Sequence, residues 1–385
     1  MAEYKTKKIG IVGGGQLGKM MILDAKRLDY QFIIMDPTPD CPAHSIADEH
    51  IVAGFDDEQA MLELAAKVDV LTYEFEHINA KALQKIEQKG VKVYPSSETL
   101  LHIQNKLVQK QWMAKHDLPV PDFKEVKSVE DIKEAAKEYG YPIMLKTCTG
   151  GYDGKGNYLI REEQFVEEGF SVLGSGTLPL MVERFVPFEK EVSILVCQSE
   201  NGDIKVWPVG ENIHKNSILD ETLVPAVMSE AARQEAMEIA KKTIKVFEAI
   251  GMLCIELFVT EDGHILINEL APRPHNSGHY TIEGCYTSQY ENHIRGILGL
   301  PLGNTDLIKP TVMKNIIGEV NGPATLEGLE EAYAAGGNVK IHMYGKQEVK
   351  VGRKMGHITA VAETIEEARE VVQHAHEKIS FHVED

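Results

Sequence analysis

The chain has 385 residues, 43% of them hydrophobic and 26% charged, enough for two or three domains with proper cores. Its formal net charge of -19 and pI near 5.3 argue against nucleic acid or an anionic membrane as partner, so any phosphate it binds must be captured by a local basic pocket. Five well-separated cysteines, Cys41, Cys148, Cys197, Cys254 and Cys285, include no CxxC pair and fit reduced thiols in a cytoplasmic protein. The N-terminus has only a short apolar run before its glycines, and no stretch of about 18 apolar residues occurs, so neither a signal peptide nor a membrane span is expected.

From Lys8 to about Tyr94 apolar strands (KIGIV, FIIMD, VDVLTY, VKVYP) alternate with amphipathic helices (QLGKMMILDAKRL, EQAMLELAAK, AKALQKIEQK), which predicts βαβ units and a parallel sheet. The first strand runs into Gly13, Gly15 and Gly18, a GxGxxG, and the second ends at Asp36. That pattern fits a dinucleotide site, with phosphate on the helix N-terminus and the acid on a ribose hydroxyl. Nothing further along supplies a hydride-transfer site, so the phosphate could equally belong to another ligand.

Between Ser96 and Pro301 the texture changes. Helical stretches SSETLLHIQ and NKLVQKQWMAKHD precede the breaker run LPVPDF, and a helix SVEDIKEAAKEYG leads to the strand PIMLK. Lys146 ends that strand and GGYDGKGNYLI follows. A lysine facing a glycine-rich loop can close on a phosphate, although a plain glycine hairpin has the same signature. PLMVERFVPFEKEVSILV then reads as two strands joined by a short turn, which could offer backbone groups to a base while Glu191 reaches sugar hydroxyls.

Further on, CIELFVTEDGHILINEL carries Asp262-Gly263 between alternating apolar residues, a strong hairpin signal. A two-residue turn pairs Glu261 with His264 and, counting outward, Glu256 with Glu269. Directly opposed carboxylates with Cβ atoms roughly 4.5–5.5 Å apart repel, so a cation is expected between them, and Mg²⁺ with substrate phosphates is the natural candidate. A solvated acidic face is the plainer reading, and a bulge at Gly263 would shift the register. Directly downstream, APRPHNSGHYT brings Arg273, His275, Asn276, Ser277 and His279 onto an irregular stretch that should line the same cleft. The last segment, from about Pro310, holds strands TVMKNIIG, VKIHMYG and GHITAVA and a helix TIEEAREVVQHAHEKI; in its turn GRKMGH, Arg353 and Lys354 form a basic spot suited to a substrate phosphate or to surface ion pairs.

Lys106, Lys146 with its glycine loop, ERFV before Glu191, and Glu256 with Asn268-Glu269 resemble the ATP-grasp superfamily in order and spacing. GGGQLGKM, GGYDGKGN and NELAPRPHNSGH are similar, more narrowly, to the carboxyaminoimidazole ribonucleotide synthetase family. The resemblance implies an α/β ATP-grasp fold with a Rossmann-like domain over 1–95, an ATP-grasp domain over 96–305 and a small β-rich cap over 306–385, commonly as a homodimer. It implies ATP-dependent carboxylation of 5-aminoimidazole ribonucleotide by bicarbonate in de novo purine biosynthesis, through carboxyphosphate. ATP ligands would be Lys106, Lys146, the loop Gly151, Tyr152, Asp153, Gly154, Lys155, Gly156 and Asn157, the hinge Glu183, Arg184, Phe185 and Val186, then Glu191, His214, Asn268 and Glu269. Glu256 and Glu269 would hold Mg²⁺. Gly15, Gln16, Leu17, Glu74, Asn276, Ser277, Arg353 and Lys354 would hold the ribotide, with Arg273 gripping bicarbonate, Asp153 taking the amine proton and His275 in the catalytic set. A formate-dependent glycinamide ribonucleotide transformylase, an NAD-dependent oxidoreductase and an inactive nucleotide-sensing module are the rival readings.

Overall fold

A computed structural model of the chain describes residues 6–151, 156–323, 325–336 and 338–383. The N-terminal part is a five-stranded parallel sheet, β1 (Lys8–Val12), β2 (Gln31–Met35), β3 (Glu49–Ile51), β4 (Val70–Tyr73) and β5 (Lys92–Val93), in the order β3-β2-β1-β4-β5. Beyond the exposed Lys8 and Gln31 at their starts, its inner strands are buried and almost wholly apolar because helices pack on both faces, as parallel sheets require. The helices Glu58–Ala66 and Ala80–Gln88 start at Asp57 and Asn79, whose side chains accept from backbone amides of the first turn. The short edge strand β3, Glu-His-Ile, has no readable apolar run.

A four-stranded antiparallel sheet follows, with β6 (Phe123–Val126), β7 (Ile143–Thr147), β8 (Asn157–Ile160) and β9 (Leu180–Arg184) in the order β6-β9-β7-β8. Beyond it lies a large antiparallel sheet. Its strands are β10 (Phe188–Gln198), β11 (Ile204–Val206), β12 (Gly210–Lys215), β13 (Ile218–Val224), β14 (Gly251–Thr260) and β15 (Ile265–Ala271), continued by β16 (Thr311–Ile317), β18 (Val339–Met343) and β19 (Lys354–Val361). The order β15-β14-β10-β12-β13-β16-β19-β18 carries the sheet without a break from the central segment into the C-terminal one. The short strands β17 (Thr325–Glu327) and β20 (Ser380–His382) pair with each other beside it. The helix Glu230–Val246 buries Ala232, Ala236, Ile239, Ala240 and Ile244 in the central core, and Ile365–His376 packs on β16 and β19.

The hairpin β14–β15 departs from the expected turn. Thr260 and His264 close a three-residue loop in which Gly263 adopts φ 83°, so Val259 pairs with Ile265 and Leu257 with Ile267. A bulge between Glu256 and Leu257 then adds one residue to β15, and Glu256 faces Glu269 after all. Strand alternation would send one of two consecutive residues into the core; the bulge lets both Asn268 and Glu269 stay partly exposed on one side, between buried Ile267 and buried Leu270. The outer edge of β15 is not left bare. Ile267 N–H donates to the Pro119 carbonyl (2.7 Å), its carbonyl accepts from Lys110 Nζ (3.0 Å), and Leu270 N–H donates to Gln109 Oε1 (3.2 Å), all from the helix Lys106–Lys115 and the segment after it.

Candidate active site

A cleft of about 820 Å³ opens where the three sheets meet. From the N-terminal part come Gln16 and Leu17, at the start of the helix after β1, and Glu74 and Glu76, just after β4; from the four-stranded sheet Met144, Lys146, Asn157, Leu159 and Glu183, with Gly151 from the loop between β7 and β8; from the end of β9 and the β9–β10 connection Arg184, Phe185 and Val186; from the large sheet Glu191, His214, Glu256, Phe258, Asn268 and Glu269. Arg273, His275 and Asn276 enter just after β15, and Lys354 at the start of β19. Most of the residues singled out from the sequence therefore meet in one space. Gly15, Gly156, Ser277, His279 and Arg353 do not line it, His279 being fully buried against Tyr290, and Tyr152, Asp153, Gly154 and Lys155 lie outside the described residues.

One end of the cleft is apolar and flat. Phe188 and Phe258 stack with centroids 4.7 Å apart and planes 10° from parallel, beside Met144, Leu159, Phe185 and Val186. Next to it Glu191 Oε2 contacts His214 Nδ1 at 2.6 Å; burial alone would lower the His214 pKa, but the bond and charge of Glu191 raise it.

Lysines and carboxylates dominate the middle. Lys106 Nζ sits 3.0 Å from Glu269 Oε2, and this contact lifts the Lys106 pKa although burial opposes it. Glu256 is pushed up to about 7, by burial first and then by Glu269 opposite. Two opposed, partly buried carboxylates in which one is held reluctantly ionised describe a place short of positive charge. The donors are hard oxygens, with the Asn268 amide oxygen beside them, and suit Mg²⁺.

His275 is turned by its neighbours. Ser277 N–H donates to Nδ1 (3.3 Å) and Ser277 Oγ lies 2.9 Å from the same nitrogen, so Nε2 carries the proton and faces Glu256 Oε1 at 3.4 Å. Burial, then the charges of Arg273, Lys354 and His214, hold the ring neutral far below the usual histidine range. Ser277 is thus fully buried behind the cleft rather than in it. Arg273 is gripped side-on by Glu76, Nε to Oε2 at 2.6 Å and Nη2 to Oε1 at 3.2 Å, with Nη1 donating to the Pro274 carbonyl (3.2 Å). At the other end Lys354 reaches the wall, while the Arg353 guanidinium donates to the Glu348 carbonyl (3.0 Å).

Three families match consecutive parts of the chain: the ribonucleotide synthetase preATP-grasp domain over residues 6–104, the ATP-grasp domain over 111–290, and the phosphoribosylaminoimidazole carboxylase C-terminal domain over 311–371. N5-carboxyaminoimidazole ribonucleotide synthase of Bacillus subtilis is 43% identical over 356 residues, 92% of either chain. The chain belongs to the N5-carboxyaminoimidazole ribonucleotide synthetase family. Among solved members, the Thermotoga maritima synthetase superposes with a TM-score of 0.89 at 42% identity, covering 98% of this chain and 100% of that one. The Aspergillus clavatus synthase, solved with ADP and 5-aminoimidazole ribonucleotide, gives 0.88 at 34% identity over 96% and 98%.

Membership of the synthetase family explains a glycine loop that does not behave as a dinucleotide site. Gly15 N–H and Gly18 N–H (2.8 Å) both donate to Glu74, and Gly14 N–H donates to Asp36 Oδ2 (2.9 Å). The chain's own carboxylates occupy the anion position that a pyrophosphate would need. A Cβ on Gly13 or Gly15 would run into the Glu74 side chain, which is why glycines are required there. The synthetase cleft also uses residues that sequence reasoning passed over. Phe188 and Phe258 looked like ordinary strand aromatics, Glu76 stood in no motif, and Lys110 was one of several lysines on a helix. Ser217, in the turn between β12 and β13, and Leu219 of β13 also reach the wall, with no motif to mark them.

Proposed function

We propose that the chain carboxylates the exocyclic amine of 5-aminoimidazole ribonucleotide with bicarbonate, converting ATP to ADP and phosphate. The observation that carries this reading is the convergence, in one cleft, of an apolar slot with a hinge, opposed carboxylates beside lysines, and a polar end formed by Gln16, Asn276 and Lys354 beside Leu17. The slot between Phe258, Phe188 and Val186 takes the adenine, and Glu191 with His214 takes the ribose. Lys106 and Lys146 face the phosphates. Mg²⁺ on Glu256 and Glu269 supplies charge neutralisation to the transferred phosphoryl group when bound.

Bicarbonate attacks the γ-phosphorus, ADP leaves, and the resulting carboxyphosphate releases phosphate and CO₂ beside the amine, which adds to the carbon and gives up one proton. Glu76 uses up the side-on face of Arg273 and thereby turns the remaining N–H groups of the guanidinium toward an oxyanion in the cleft. His275 donates toward Glu256 and keeps that carboxylate aimed at Glu269; its proton sits on the nitrogen facing Glu256, which fits a positioning role better than that of a base. Lys354, at the N-terminal-domain end, suits the ribotide phosphate. No helix of the described residues is long and apolar enough to cross a membrane. The five cysteines are free and buried, which fits a reduced, cytoplasmic setting. A homodimer, as the family resemblance implies, would be tested by sedimentation.

The experiment is ADP release measured with ATP, bicarbonate and aminoimidazole ribonucleotide against ATP, formate and glycinamide ribonucleotide. Turnover with the first set alone is expected; turnover with the second would replace the reading by the transformylase.

A further inference from the structure

Beneath the phosphate end of the cleft lies an ion cluster in which one carboxylate serves two lysines. Glu183 is 3% exposed; its Oε2 contacts Lys146 Nζ at 2.6 Å and its Oε1 contacts Lys110 Nζ at 3.2 Å. Lys146 lines the cleft and also reaches Asn268 Oδ1 (3.3 Å). Lys110 does not line it: only 1% exposed, it lies behind Glu183 and makes its one directed hydrogen bond to the Ile267 carbonyl (3.0 Å).

Charge counting separates the roles. With Lys110 and Lys146 protonated and Glu183 ionised, the cluster carries a net single positive charge, and the only member presenting that charge to the cleft is Lys146. Were Lys110 neutral, Glu183 would cancel Lys146 completely and draw the ammonium inward. Glu183 is held at about 2 against burial by the two lysines, so it stays a full anion at neutral pH. Burial lowers Lys110 only to about 8, so it stays mostly charged there. Such a buried charge is costly and is tolerated only when paired, which makes a merely space-filling lysine a poor explanation.

We infer that Lys110 is a positioning residue for the nucleotide phosphates: it compensates Glu183 and so leaves the charge of Lys146 for the phosphate chain. The inference rests on the nucleotide reading of the cleft given above. It distinguishes Lys110 from a residue that only ties down β15, because the charge, and not the hydrogen bond to Ile267, is what matters.

The test compares three proteins, wild type, Lys110→Gln and the charge-keeping Lys110→Arg, for ADP binding by calorimetry and adenosine binding by ligand-observed NMR. Glutamine keeps a donor for the Ile267 carbonyl but removes the charge. Lys110→Gln is expected to weaken ADP about tenfold, or about 1.4 kcal/mol, while adenosine stays within about twofold, since adenosine has no phosphate for Lys146 to meet. Lys110→Arg keeps the charge and should bind ADP clearly more tightly than Lys110→Gln. Equal losses for ADP and adenosine in Lys110→Gln, or a Lys110→Arg protein that binds ADP no better than Lys110→Gln, would overturn the inference. If Lys110→Gln does not fold, wild-type binding is followed from about pH 7 to 9, across which Lys110 gives up its proton: a loss of ADP affinity with adenosine unchanged upholds the role, and equal or absent changes refute it. A wild-type protein that binds no ADP would instead remove the nucleotide reading itself.

Discussion

Glu269 faces two demands that conflict until a cation arrives. It stands opposite Glu256, which raises the energy of both carboxylates, and it already takes a hydrogen bond from Lys106 at 3.0 Å. Glu269→Gln keeps the shape and the packing but halves the negative charge of the pair. We expect turnover to fall by well over tenfold with the fold intact, as checked by coupled ADP release beside circular dichroism; retention within tenfold, about 1.4 kcal/mol of barrier, would mean the pair does not bind the metal of the reaction. The same scale divides the basic pair of the C-terminal segment. Lys354 lines the cleft whereas the Arg353 side chain is turned to the Glu348 carbonyl, so the two alanine variants should differ. Lys354→Ala should raise the Michaelis constant for aminoimidazole ribonucleotide severalfold and leave that for ATP nearly unchanged, while Arg353→Ala should change neither by more than about twofold. Equal effects of the two substitutions would show that the guanidinium reorients to meet the substrate.

At the scale of elements, the hairpin β14–β15 shows what can be read from a sequence and what cannot. The opposition of Glu256 and Glu269 was expected from a two-residue turn at Asp262-Gly263; the actual loop has three residues, and the pairing survives because the bulge beside Asn268 cancels the shift. Two compensating irregularities leave no trace in a period-two pattern. Strong periodic signals elsewhere carried over well: the strands 311–317, 339–343 and 354–361 and the helix 365–376 fall where apolar alternation and helical spacing put them, as do β1, β2 and β4. Lys110 and Glu76 were invisible because their importance comes from partners 73 and 197 residues away, a separation that local patterning does not encode. The turn itself offers a clean check. Gly263 has φ 83° and open space around a would-be Cβ, so Gly263→Ala meets no clash and suffers only the left-handed backbone penalty. Urea unfolding should show a loss of about 1 kcal/mol with ADP release unchanged; a larger loss, or loss of activity, would place the loop tip in contact with the working cleft.

On the scale of the whole molecule, the segments are stitched together by buried neutral histidines, and that makes the assembly sensitive to acid. His293 accepts at Nδ1 from Met252 N–H (3.0 Å), so its proton is on Nε2, which donates to Thr72 Oγ1 (2.8 Å) and links β4 of the N-terminal sheet to β14 of the large one. Protonating Nδ1 would destroy the first bond, and burial depresses the pKa of this ring to about 3. His279 and His357 lie 4.5 Å apart between the helix Gln289–Ile297 and the C-terminal strands, each with Nδ1 on a tyrosine hydroxyl, Tyr290 at 2.8 Å and Tyr344 at 3.0 Å, and burial holds both far below the usual range. Burial is the main cause for both, and the neighbouring charges add in the same direction: His342, His275, Lys354 and Lys346 around His279, and His279 and His342 around His357. In the unfolded chain these three rings and His275, also held neutral by burial, titrate near 6.5, so below that pH each adds one proton bound only in the unfolded state; Glu256, held up to about 7 in the fold, takes a proton in the folded state instead and offsets one of them, so stability falls with pH at about 1.4 kcal/mol per unit for each of three net protons, roughly 4 in all. His376, lowered by burial as well, adds to the slope. His214 adds nothing to that uptake, because Glu191 raises its folded pKa and it is protonated in both states there. The carboxylates held low, Glu183 and Glu76, lose their contribution only at more acid pH, below the ordinary carboxylate range. Unfolding free energy measured in urea should therefore drop steeply from pH 6.5 to 5.5, and His293→Gln, although less stable throughout, should show a slope smaller by about 1.4 kcal/mol per pH unit. A wild-type slope near zero across that window would mean that these rings accept protons in place, and that the three segments are not joined through neutral imidazoles.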